Sequence, residues 1–74
     1  MDKNVEAIVE RTIRHTRAIL AISPERWDHA RSGMLKIRES LAKRAPGHPA
    51  LDRLIAFVLA EERWRAGWRD ARRP

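Results

Sequence analysis

Val5, Ile8, Val9, Thr12, Ile13, Thr16, Ile19 and Leu20 fall three and four positions apart, and Glu6, Glu10, Arg14 and Arg17 lie between them. That period puts the first set on one face of a helix and the second on the other, predicting an amphipathic helix over residues 2–22. Glu10 and Arg14 stand four apart with the acid leading, a favourable pair, and acids early with arginines late suit the helix dipole. Ile22, Ser23, Pro24 and Glu25 then mark a boundary. Ser23 is a good N-cap, Pro24 suits the first helical position, and Glu25 falls in the positive first turn. Ile22 and Trp27 have the spacing of a hydrophobic staple, which would fix how the chain enters its second helix and make Trp27 a structural residue.

The second helix is predicted over residues 24–45. Trp27, Ala30, Met34, Ile37 and Leu41 alternate by three and four and form a narrow apolar seam, with Arg31 and Arg38 on its flank. Gly33 lies inside this helix, where glycine costs about 1 kcal/mol against alanine. It marks either the close approach of another backbone or a tolerant surface position. Pro46 disfavours helix at Ala45, Gly47 supplies a turn, and Pro49 fits the start of a third helix.

That third helix, over residues 49–70 with a candidate break at Gly67, changes character along its length. Leu54 to Ala60 is an unbroken apolar run, which needs cover on every side, whereas Glu61 to Arg69 carries acids, arginines and tryptophans. On a helical wheel Leu51, Leu54, Ile55 and Val58 share one stripe. Phe57, Trp64 and Trp68 share another, turned by about 120°. The first stripe suffices to pack a small domain; the second is either further core or a surface for a partner. Three helices with such short connections predict an all-α, small three-helix bundle, with homodimerisation as one way to complete its core. Ala71 to Pro74 read as a frayed tail.

Composition narrows this picture. Seventy-four residues make a single domain with a thin margin of stability, and no cysteine is present to staple it or to bind zinc through thiolates. Small scaffolds without such staples rely on efficient helix packing or on oligomerisation. The N-terminus does not read as a signal peptide and the longest apolar run is far short of a membrane span, so a cytoplasmic location is expected. The net charge is +6 and the pI about 11.3, a balance that favours polyanionic or acidic partners. An arginine- and alanine-rich chain is also what a GC-rich genome writes irrespective of function.

Little in the chain suggests chemistry. His15, His29 and His48 lie one per segment, without the spacing of a helical metal site, and read as solvated or capping residues. The serines lack a phosphate loop or nucleophile elbow, and Glu61 with Glu62 reads as a salt-bridged face. No enzyme activity, cofactor, metal or small-molecule substrate is expected. Small size, high charge and the lack of catalytic residues are common among accessory proteins of bacteria and phages. The favoured expectation is a regulator or inhibitor that docks on a larger protein, or self-associates, through Phe57, Trp64, Arg65, Trp68 and Arg69, because tryptophan and arginine dominate interface hot spots. The alternative is nucleic-acid binding, with phosphate contacts from Arg31, Lys36, Arg38, Lys43, Arg44, Arg63, Arg72 and Arg73. A membrane-surface role ranks last, because Glu61, Glu62 and Asp70 would oppose an anionic leaflet.

Overall fold

The structure is a computed structural model that describes the backbone of residues 3–71 and the side chains of residues 4–67. Within these bounds the chain is all-α: α1 spans Lys3–Ile22, a single 3-10 turn spans Pro24–Arg26, α2 spans Trp27–Arg44, and α3 spans Pro49–Ala71. The three helices run up, down and up, with α3 packed along both α1 and α2. The expected three-helix architecture is therefore present, and its boundaries fall within a few residues of those the prolines and glycines set. α3 passes through Gly67 without a break and continues through Ala71. The rest of the expected frayed tail, residues 72–74, lies outside the described residues.

The core forms where the three apolar faces converge. Val5 and Val9 of α1, Trp27, Met34 and Leu41 of α2, and Ala50, Leu51, Leu54, Phe57 and Val58 of α3 are all buried. Thr16 is buried with them. Phe57 is 8% exposed and belongs to this core, and the Arg17 guanidinium lies 5.4 Å from its ring centroid. Its stripe is thus divided: Trp64, one heptad further on, is 61% exposed. The two stripes of α3 are both needed near the middle of the bundle, because α1 and α2 approach that helix from different sides.

The first corner differs from the staple its sequence suggests. Ser23 N–H closes α1 by donating to Ile19 O at 2.8 Å, and Arg26 N–H donates to Ser23 O at 3.0 Å to make the 3-10 turn. The Ser23 side chain makes no capping hydrogen bond. The tight turn places Trp27 at the start of α2 rather than one turn inside it, with its ring in the core, while Ile22 is left 84% exposed. The second corner follows expectation more closely. Gly47 adopts φ 77°, which a side chain would strain. His48 caps α3, its Nδ1 accepting from Ala50 N–H at 3.0 Å and its carbonyl from Leu51 N–H at 3.0 Å. The ring proton of a neutral His48 therefore resides on Nε2.

Charged pairs run along the flanks. Arg53 of α3 reaches Glu6 at 3.3 Å and Glu10 at 3.6 Å, so the partner of Glu10 is a residue of another helix rather than Arg14. All three groups are about half exposed, and such pairs contribute at most ~1 kcal/mol. Their value is in fixing the register of α1 against α3. Stability resides in the core, and Leu54→Ala is expected to cost about 2–5 kcal/mol in urea unfolding followed by helical circular dichroism. Leu59→Ala, at an exposed position of the same helix, is expected to stay within about 0.5 kcal/mol.

Candidate functional site: the α1–α2 groove

A bundle of three helices leaves outward-facing grooves, and most are lined by charge. The groove between α1 and α2, on the side away from α3, instead has an apolar floor and carries charge at its rims. α1 has an apolar stripe wider than its partners cover: Val5, Val9 and Thr16 face inward, and Glu6, Glu10 and Arg17 lie on the flank toward α3. Ile8, Thr12 and Ile19 remain on the opposite flank. Across from them α2 presents Ala30, Gly33, Met34 and Ile37. The antiparallel run of the two helices aligns Ile8 with Ile37, Thr12 with Gly33, and Ile19 with the start of α2.

The result is an open groove of about 500 Å³. Met34, 1% exposed, forms its floor, and Ile19, 43% exposed, stands at one end. The Thr12 hydroxyl donates to Ile8 O at 2.7 Å, which satisfies it within α1 and leaves its methyl to the groove surface. Arg11 and His15 from α1, Arg26 from the 3-10 turn and His29 from α2 form the rims, and among the described residues no carboxylate lines the groove. An adjoining depression of about 550 Å³ near Arg14 and Arg44 shares Ile8 and Arg11 with it, but is more polar and includes Glu10. Gly33 sits midway along the α2 wall, and a Cβ built there meets no atom within 4 Å. Among the described residues no backbone uses the space its missing side chain leaves.

The residues expected to form a docking face on α3 are placed differently. Phe57 is core. Arg65 binds within the chain: its Nη1 donates to Pro24 O at 3.0 Å and its guanidinium lies 5.1 Å from the Trp27 ring centroid. Its Nε is 3.5 Å from Glu61 Oε2, close enough for attraction but without hydrogen-bond geometry. Pro24 O also accepts the Trp27 N–H, so one carbonyl joins the corner to both α2 and α3. Arg65 is thus a clamp for the first corner, which its sequence position did not reveal. Trp64 is exposed, and the side chains of Trp68 and Arg69 lie outside the described residues.

The cations weighed for nucleic acid do not gather into one surface. Arg31 pairs with Glu62 of α3, and Arg38 Nε is buried without a hydrogen-bond partner. Lys36 and Lys43 are exposed, but the helical repeat turns them about 140° from Arg31 and Arg38. Arg44 lies beside the polar depression near α1, and Arg63 is exposed on α3. Arg72 and Arg73 lie outside the described residues. Among the described residues no group of three or more His, Cys, Asp or Glu side chains could hold a metal ion, and no helix is long and apolar enough to cross a membrane.

Comparison of the chain with protein-family models, with curated proteins and with solved structures finds no match. The groove was missed by a reading of each helix in isolation, although two signals pointed toward it: the breadth of the α1 apolar stripe and the glycine inside α2. The clamp makes a separate prediction. Arg65→Ala is expected to lower stability by about 1–2 kcal/mol through loss of the Pro24 hydrogen bond and the Trp27 contact. Lysine at that position should recover only part of this, since it lacks the planar fork. Thermal and urea melts measure both, with exposed Arg63→Ala as a near-neutral control.

Proposed function

We propose that the protein is a non-catalytic interaction module, a small regulator or inhibitor that docks on a larger protein through the groove between α1 and α2. The observation that carries this reading is the pairing of an apolar floor with an unshared cationic rim on a helix pair that α3 covers from one side only. Ile8, Ala30 and Ile37 are half-buried and Ile19 is exposed, so together they offer a partner apolar surface that the fold covers only in part. The α3 face is the weaker seat, because Phe57 and Arg65 already serve the fold.

Self-association through the same groove is disfavoured by symmetry. A twofold contact would set each basic rim against its own copy, and like charges facing across an interface are costly. The docking reading therefore favours a different protein over a second copy.

A tagged chain used to capture partners from a nuclease-treated bacterial lysate tests this directly. The wild type and Trp64→Ala are expected to retain the same protein, and Ile19→Glu to lose it while keeping its helical signal. Retention by Ile19→Glu with loss in Trp64→Ala would move the seat to α3. Recovery of nucleic acid instead, lost as salt is raised and indifferent to Ile19→Glu, would replace the docking reading with phosphate binding.

A further inference from the structure

We infer that the occupant of the α1–α2 groove is a single amphipathic helix of a partner protein, apolar on the seated stripe and acidic on both flanks. The inference rests on the docking reading above and adds the chemistry of the partner. Three features of the groove select such a ligand.

The first is length. From Ile8 to Ile19 the α1 wall advances eleven residues, or about 16 Å at the rise of an α-helix. That distance accommodates three turns of a helix, whose contacts would recur at i, i+4, i+7 and i+11. A fourth helix laid there would sit against α1 and α2 on the side opposite α3, converting three helices into four.

The second is charge. The rims carry Arg11 and Arg26, whose guanidinium groups are always ionised, together with the imidazoles of His15 and His29. With no carboxylate among the described lining residues, the rims have no acidic partner of their own in the groove. A seated helix with Glu or Asp beside its apolar stripe would meet Arg11 along the α1 wall and Arg26 at the corner end, whereas one with lysine there would be repelled by both.

The third is Gly33. Glycine weakens a helix interior, and here no atom of the described residues occupies the room its missing Cβ provides. A bare backbone midway along the groove lets a second helix approach more closely than any side chain would allow. The glycine costs the free helix stability that no contact among the described residues returns, and the space beside it is open to an occupant.

The test uses two synthetic helical peptides of about fifteen residues, long enough to span the groove. Both carry leucine at i, i+4, i+7 and i+11; one has glutamate on the flanks and the other lysine. Titration calorimetry with the full chain is expected to show binding of the acidic peptide, weakened at least about tenfold in the lysine twin and by added salt. Gly33→Leu should abolish binding while its melting curve shows a folded protein, and Arg11→Glu with Arg26→Glu should transfer the preference to the lysine peptide. Equal binding of both peptides, blocked by Gly33→Leu, would overturn the acidic partner and leave the groove as a docking site. Binding of neither, or binding indifferent to Gly33→Leu, would overturn the inference itself, and the second result would also remove the groove as the seat.

Discussion

A third helix can cover only one of the two grooves that a pair of helices makes, and the described residues form three. α3 fills the inner groove of the α1–α2 pair with Ala50, Leu51, Leu54, Phe57 and Val58, and Val5, Val9, Trp27, Met34 and Leu41 of the other two helices pack into the same core. What that arrangement cannot do is cover the outer groove. In most bundles the outer face is polar and needs no cover. Here Ile8, Ile19, Ala30 and Ile37 continue the apolar surface around to that side, and the cations stand at its margins.

The same economy explains why residues that look like interface anchors serve the fold. A chain of 74 residues without cysteine has few means of holding a corner tight. Its first corner, a 3-10 turn with no side-chain cap, is held from outside by Arg65, which uses one carbonyl and one indole at once. Arg17 over Phe57 repeats the theme on the other side of α3. In both cases a guanidinium lies over an aromatic ring, extending a small core through a cation–π contact.

Much of the fold was legible because its boundaries are written in residues with narrow backbone preferences. Pro24, Gly47 and Pro49 mark the corners, and the periodicity of α1 identifies Val5 and Val9 as core. The staple between Ile22 and Trp27 failed because local spacing does not distinguish a helix starting at Pro24 from a 3-10 turn that delays it to Trp27. The site was less legible. A wheel assigns Phe57 and Trp64 to one stripe, but which part of the stripe is covered depends on where α1 lies. The groove is a property of two helices in register, so neither helix displays it alone; at Gly33, where the sequence allowed a close approach or a tolerant surface position, no backbone among the described residues approaches.

The most direct test of the central claim is residue-level mapping of a bound helix by amide chemical-shift perturbation. The isotope-labelled chain would be titrated with the acid-flanked peptide and every backbone amide and tryptophan indole followed. The account predicts shifts concentrated on the groove walls, from Ile8 to Ile19 and from Ala30 to Ile37, with the largest at Gly33 and little change at the Trp64 indole. Perturbation centred on Trp64 and the end of α3, with the Gly33 amide unmoved, would contradict it.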